Sequence, residues 1–479
     1  MSSCGRDGAE QARSARSSGV VGHIRGPVHF VGIGGAAQRA AAELLLGWGV
    51  AVQGSDVVDS PALTALAARG ARVYVGHAAV HVGEARLCVV SSAVPAGNPE
   101  VEEARRQRIP VLSNAELERL IGVGKRTLAI AGTHGKTTTT AMLAWTLVEA
   151  GLDPLALVGS EAVDLGGSSR PGRGTYFVIE ADEYDRRFLA LEPWAAAVLN
   201  VEPDHLDYYG TVDHLITAFR TFVERVPDDG FVMLCADDPG ALALQEAVSR
   251  GRVQTYGIGQ GDWQARAIRT GPEGSEFTVW HEEHAVVPCH VRMMGLHNVR
   301  NALASLAMAV SIGVAPLAAA GALERFRGTR RRFELAGEAA GVVVVIDYGH
   351  HPTEIQATLA AARQRYPGRR LWLVFQPHTY ARTQSLFDGF LASCREADEV
   401  MLVATYVPPG RERVRDDALT RELAQRLGGA YVESIGAVVD ELARRLTAGD
   451  VVLLMGAGDI NQVAEPLVKT LERRRDALE

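Results

Sequence analysis

Apolar residues in this chain come in short runs that end at glycine or at acids, and the runs alternate with helical stretches. Val28–Val31 breaks at Gly32-Ile33-Gly34-Gly35, and a helix then begins near Ala36 and passes through Glu43-Leu44-Leu45-Leu46. Arg72–Val75, Leu87–Val90, 128–131, 195–199, 342–346, Leu371–Phe375, Glu399–Val403 and Val451–Met455 repeat the theme. Short apolar runs bounded by turn residues read as buried parallel strands. Their alternation with helices predicts an α/β chain with ligands at the strand C-termini.

The run at 128–131 leads into Gly132-Thr133-His134-Gly135-Lys136-Thr137-Thr138, and a helix follows with apolar Met142, Leu143, Leu147 and Val148. A strand that turns through glycine into a helix N-terminus presents backbone N–H groups to an anion. Gly132 and Gly135 allow close approach of a phosphate, Lys136 adds a point charge, and the Thr137 hydroxyl suits Mg²⁺. The match to a nucleotide phosphate loop is not literal, since Ile130 stands where the usual first glycine would be. The chain has only three lysines, Lys125, Lys136 and Lys469, against many arginines. A lysine kept here points to a need for a compact ammonium rather than a planar fork.

At 479 residues the chain exceeds a single core, and three domains are expected: 27–123, 124–327 and 328–479. Residues 1–26 are rich in Ser, Gly and Arg, fail as a signal peptide, and read as a disordered extension. Net charge is −8 without a large basic cluster, which excludes nucleic acid as the main partner. Five dispersed cysteines without CxxC spacing argue for a reducing, cytoplasmic setting. No apolar run reaches the roughly 18 residues of a membrane span.

The first domain reads as Rossmann-like. Its Gly32-Ile33-Gly34-Gly35 turn is a weak dinucleotide signal, because Ala37 replaces the third glycine; Ser55 and Asp56 follow about 20 residues on. From this domain alone a nicotinamide-dependent oxidoreductase is a fair reading, weakened by the second phosphate loop downstream. The central domain reads as a P-loop ATPase with a mainly parallel sheet. Its strand ending at Glu180-Ala181-Asp182-Glu183 supplies the hard oxygen ligands an Mg·ATP site needs, though a solvated acidic turn would look the same. His205, after another strand and between Asp204 and Asp207, suits a metal or a phosphate. His297 and Asn298, opening a later helix, suit adenine by stacking and hydrogen bonding, or Asn298 serves as a cap. From Phe231 to about Val291 only packing is expected. The third domain is again Rossmann-like. Arg330, Arg331 and Arg332 at its start could reach phosphates across a cleft, and Asp347, His350, His351, His378 and Arg382 gather at strand C-termini.

Nine stretches agree in order and spacing: HFVGIGG (29–35), GSD (54–56), AGTHGKTTTT (131–140), EADE (180–183), DHLD (204–207), HNVRNALA (297–304), RRFE (331–334), DYGHHPTE (347–354) and FQPHTYART (375–383). Together they resemble the Mur ligases of peptidoglycan synthesis, and within them the branch that adds L-alanine. The resemblance implies ATP-dependent activation of the lactyl carboxylate of UDP-N-acetylmuramic acid to an acyl phosphate, followed by attack of the L-alanine amine. It implies that Gly32, Ile33, Gly34, Gly35, Ser55, Asp56, Ser91 and Ser92 hold the UDP-sugar. Gly132, Thr133, His134, Gly135, Lys136, Thr137 and Thr138 would hold the ATP phosphates, His297 and Asn298 the adenine, and Arg332 and Asp347 would reach ATP from across a hinge near Gly328. Thr137, Glu180 and His205 would hold Mg²⁺. Lys136, Glu180, His205, Arg332 and His351 are the implied catalytic set, with His378 and Arg382 for the amino acid. The chain departs from the pattern at Ala37-Gln38-Arg39-Ala40, at Ile346 and at Ala404-Thr405-Tyr406. Lys125 and Lys469 are poorly placed for the carbamylated lysine of related Mur ligases, in keeping with the L-alanine branch. A monomer or homodimer is expected. The rivals are a recycling ligase that adds a tripeptide to the same UDP-sugar, the oxidoreductase, and a non-catalytic UDP-sugar-binding protein.

Overall fold

The computed structural model describes residues 24, 26–408 and 416–476, so the expected extension lies almost wholly outside the described residues. The chain is mixed α/β and carries three sheets. The first holds five parallel strands in the order Arg72–Val75, Val52–Asp56, Val28–Val31, Leu87–Val90 and Val111–Ser113. The order reverses beside Val28–Val31, and the Gly32–Gly35 turn leaves that strand at the crevice where doubly wound sheets bind ligands.

The second sheet has ten strands. Its middle is parallel: Arg252–Ile258, Phe231–Cys235, Ala195–Val198, Arg126–Ala131, Tyr176–Glu180 and Leu155–Ala162 lie side by side. Trp263–Gly271 continues the parallel run beside Arg252–Ile258, and antiparallel strands then extend both edges, Gly274–His281 and His284–Val291 on that side and Gly167–Pro171 on the other. Strand Arg126–Ala131 is buried over Thr127 to Ala131, as a central strand covered on both faces must be. Helices Lys136–Glu149 and Leu296–Ser311 pack together beside it and carry long apolar faces.

The third sheet runs Glu334–Ala339, Val342–Asp347, Val451–Met455, Leu371–Phe375, Glu399–Val403 and Ala430–Val432, parallel except for its first strand. It has an apolar cluster on each face. The first two sheets instead share one continuous cluster, because helix Ala36–Gly47 packs onto strands Leu155–Ala162 and Gly167–Pro171. The third sheet meets the second through polar contacts: Arg382 with Asp204, Thr353 with Glu202, and Ser160 with the Arg330 carbonyl. Gly328, Arg331 and Phe333 take left-handed φ values of 105°, 59° and 49° in the connection between them. No described helix is long and apolar enough to cross a membrane.

Candidate active site

Gly135 is the N-cap of helix Lys136–Glu149, at φ 83°, with no side chain capping the helix. The first-turn N–H groups are therefore open to an anion. A Cβ at Gly135 would lie 2.6 Å from Asn301 Oδ1, so this turn demands glycine twice over. Asn200 pins the loop from the neighbouring strand: it accepts from the His134 N–H at 2.7 Å and donates to the His134 carbonyl at 3.1 Å. The Thr133 hydroxyl donates to the Glu202 carbonyl and accepts from its N–H.

Lys136 Nζ donates to the Gly132 and Thr133 carbonyls and to both oxygens of Glu183, at 3.0 and 2.8 Å. Burial alone would lower this ammonium's pKa, but Glu183, Asp182 and Glu180 outweigh it and lift the pKa above its ordinary value. Burial pushes Glu183 up to about 7, with Lys136 pulling the other way. Glu180 ends its strand beside the loop and accepts from the Gly159 N–H at 2.9 Å. His205 sits at φ 55° before a short helix, 3.6 Å from Asp204 and 3.9 Å from Glu183. Its Nδ1 is buried without a hydrogen-bond partner. That nitrogen is a donor atom which no protein group uses, as a ligand to an ion would need.

A cavity of about 300 Å³ opens from the loop toward the third sheet. His134, Gly135, Thr138, His297, Asn298, Arg332 and Asp347 all line it, so the structure brings together candidates that lie more than two hundred residues apart in the chain. Asn298 is not a cap: Gly295 occupies that position, and Asn298 lies inside the helix and donates to the Met294 carbonyl. Asp347 accepts from the Phe333 and Gly349 N–H groups and so fixes the backbone next to Arg332. Arg332 lies 3.4 Å from Glu354 and over the Tyr348 ring. Cys235, Asp237 and Tyr256 also line the cavity, so the segment expected only to pack contributes to it; Asp237 holds Arg300 at 2.6 Å. Asn200, Glu202, Asn301 and Glu354 join the site as well, although no motif role attaches to them in the sequence. Glu202 and Glu354 lie inside stretches already notable for their histidines, which was the available signal.

Burial pushes the His297 imidazole down to about 4, with Arg300 and Arg332 adding to the effect. Unfolding restores its ordinary value near 6.5, so between pH 6.5 and about 4 the unfolded chain binds a proton that the folded chain refuses. Stability is expected to fall with pH through that window, by roughly 3 kcal/mol from this residue. His297→Gln should flatten the slope in urea melts taken across it, and an unchanged slope would contradict a buried neutral imidazole.

At the first sheet, the Gly32 and Ile33 N–H groups bond to the Ser55 carbonyl, and the Gly34 N–H donates to Asp56 at 2.9 Å. Ser91 packs under Gly32, with Ser92 following it, while Gly35 precedes a helix with no side-chain cap. The Ser55 hydroxyl faces away from this cradle, toward Glu100 and His77 in a buried network that includes His29 and His81. Arg39, one of the departures, points across to Glu161 of the second sheet at 3.6 Å.

Near the third sheet's edge, Arg382 donates through Nε and Nη2 to Asp204 at 3.1 and 2.8 Å, and its Nη1 lies 3.0 Å from His378 Nδ1. The departing stretch at 404–406 lands here, since the Tyr406 ring stacks on His378 with centroids 5.9 Å apart. His351 caps helix Pro352–Arg365 and forms a capping box with Glu354. Its ring lies 4.7 Å from that of His134.

Comparison with known families matches residues 27–121 to the Mur ligase family catalytic domain, 130–309 to the Mur ligase middle domain and 331–458 to the Mur ligase glutamate ligase domain. The chain belongs to the Mur ligase family. It is 42% identical to a UDP-N-acetylmuramate–L-alanine ligase of Anaeromyxobacter dehalogenans, over 93% of this chain and 98% of that one. A relative of the same name from Solibacter usitatus is 43% identical over 94% and 95%. Among solved structures, the UDP-N-acetylmuramate–alanine ligase of Thermotoga maritima superposes with a TM-score of 0.80 at 27% identity, covering 94% of this chain and 99% of that one. A murein peptide ligase from Psychrobacter arcticus gives 0.72 at 28%, covering 93% and 98%. Membership sets aside the nicotinamide reading of the first sheet: the Gly32–Gly35 turn of this Mur ligase carries the fold's ligand crevice without being a coenzyme fingerprint.

Proposed function

We propose that this Mur ligase joins L-alanine to the lactyl carboxylate of UDP-N-acetylmuramic acid at the expense of ATP. The observation that carries the reading is the convergence of Lys136, His297, Asn298, Arg332 and Asp347 around one loop and one cavity, in a chain more than 40% identical to ligases of that name.

A carboxylate resists attack by an amine until one of its oxygens becomes a good leaving group. ATP supplies that by phosphoryl transfer, whose charge must be absorbed by fixed cations and N–H groups. Residues 132–138 take the phosphates, with Lys136 turning from Glu183 to the transferred group. His297 and Asn298 take the adenine, and Arg332, held beside Asp347, reaches the nucleotide from the third unit. Thr137, Glu180 and His205 would hold Mg²⁺, which neutralises phosphate charge when bound. Gly32, Ile33, Gly34, Gly35, Asp56, Ser91 and Ser92 take the UDP-sugar, with Ser55 supporting the turn through its carbonyl. His351, His378 and Arg382 face the amino acid. The chain divides by role at 27–123, 124–327 and 328–479, and the third unit swings about the connection near Gly328.

The test is phosphate release from ATP with UDP-N-acetylmuramic acid and Mg²⁺, with L-alanine, glycine, L-serine or L-alanyl-γ-D-glutamyl-meso-diaminopimelate as acceptor. Release that depends on L-alanine is expected. Release with the tripeptide alone would move the protein to the recycling branch, and release with none would overturn the ligase reading.

A further inference from the structure

Glu354 divides its two carboxylate oxygens between two tasks. Oε2 accepts from the His350 and His351 N–H groups at 2.9 and 3.2 Å and closes the capping box of helix Pro352–Arg365. Oε1 lies 3.4 Å from Arg332 Nη1 and 3.4 Å from Nδ1 of His134, in the phosphate loop of the central unit. The cap uses one oxygen only and leaves the second unexplained. The Glu354 side chain is 12% exposed and lines the cavity together with His134 and Arg332. A half-desolvated carboxylate on the wall of a cavity meant for phosphates costs free energy unless cations are fixed against it. Burial would raise the Glu354 carboxyl, yet His134 and Arg332 help to hold it well below its ordinary value. Burial would likewise lower the His134 imidazole, yet Glu202 and Glu354 lift it to about 9, so it is a cation at neutral pH.

Taking the cavity as the ATP site, as above, we propose that Glu354 is a positioning residue for phosphoryl transfer: through Oε1 it aims Arg332 at the nucleotide and seats the His134 side of the phosphate loop against it. The Tyr348 ring lies under the same guanidinium, with Arg332 Cζ 5.1 Å from its centroid. A ring against its face and a carboxylate at one edge fix the guanidinium plane, which paired N–H contacts with a phosphate require. Arg332 and Glu354 belong to the C-terminal unit and His134 to the central one, so a single oxygen ties the arginine to the loop it serves.

Glu354→Gln in the full-length protein separates the two tasks, because glutamine serves in a capping box as glutamate does. Its oxygen can stay on the His350 and His351 N–H groups, while its NH2 group then faces two cations. The variant should melt close to wild type by circular dichroism. Its affinity for a non-hydrolysable ATP analogue with Mg²⁺, read by calorimetry, should fall about 10-fold, and kcat/KM for ATP in L-alanine-dependent phosphate release about 10- to 100-fold, the scale of a contact group misplaced by an ångström. KM for UDP-N-acetylmuramic acid should stay within about twofold, since no contact to the first sheet is removed. In an Arg332→Ala background the same change should cost far less, because the group it aims is gone. Equal cost in both backgrounds, or a melt lowered as much as by loss of the cap, would make Glu354 a merely structural residue and overturn the proposal. Analogue binding by the wild type that survives Glu354→Gln undiminished overturns it too and leaves the ATP site standing, whereas a wild type that binds no analogue removes the ATP site and the proposal together.

Discussion

Replacing Lys136 by alanine is expected to lower L-alanine-dependent phosphate release by about 10²–10³-fold or more, the usual cost of deleting a charge donor aimed at a developing anion. The loss should fall on kcat, because the ammonium is worth most where charge builds up in phosphoryl transfer. The fold should survive. Glu183, left without its partner, already sits near pKa 7 through burial, so it takes up a proton rather than remaining a buried bare charge. A circular dichroism melt close to wild type with turnover down a hundredfold would match this account. Lys136→Arg should not rescue, since Nζ meets two loop carbonyls and a carboxylate at one point, which a planar fork cannot do. Near-normal turnover in Lys136→Ala would remove the phosphate loop from the mechanism.

What the sequence made legible here is what depends on local backbone geometry. Gly132 and Gly135 announced a phosphate loop because a strand-to-helix turn needs left-handed residues at fixed offsets, and those residues carry φ 137° and 83°. The buried strands were legible because a strand covered on both faces must be apolar throughout. Pairings between distant residues were not. That Glu183, rather than Glu180, would hold Lys136 depends on how a loop folds back after Tyr176–Glu180. Asn200 clamps His134 only because strands Ala195–Val198 and Arg126–Ala131 are neighbours in the sheet. Ser55 reads as a ligand contact in GSD, yet its hydroxyl turns to Glu100, a carboxylate held down at about 2 by His29, Ser55 and His81 against the effect of burial. The antiparallel strands from Trp263 to Val291 read as packing and do pack, but Cys235, Asp237 and Tyr256 just before them reach the cavity wall. Periodicity reports which face of a strand is buried and not what its last residue touches.

Arg382→Ala is expected to destabilise the closed arrangement of the central and C-terminal units by about 3–5 kcal/mol, the cost of stranding one member of a buried ion pair. Arg382 and Asp204 are each under 10% exposed, and Nε and Nη2 both donate to the same Asp204 oxygen. Without the guanidinium, Asp204 regains water most cheaply if the C-terminal unit moves away, because the contacts described across that boundary are polar while the first two sheets share a continuous apolar core. The energy should therefore appear as opening rather than global unfolding. Small-angle scattering should show a larger radius of gyration for Arg382→Ala, and the melt of the first two units should hardly move. Asp204→Ala combined with Arg382→Ala should recover much of the closed form, since neither charge is then stranded. If Arg382 also receives the amino acid carboxylate, the substrate has to take the place of Asp204. The KM for L-alanine should then rise far more in Arg382→Ala than in the double variant's Asp204→Ala parent. A radius of gyration identical to wild type in Arg382→Ala, with full activity, would show that the pair neither holds the units together nor meets the substrate.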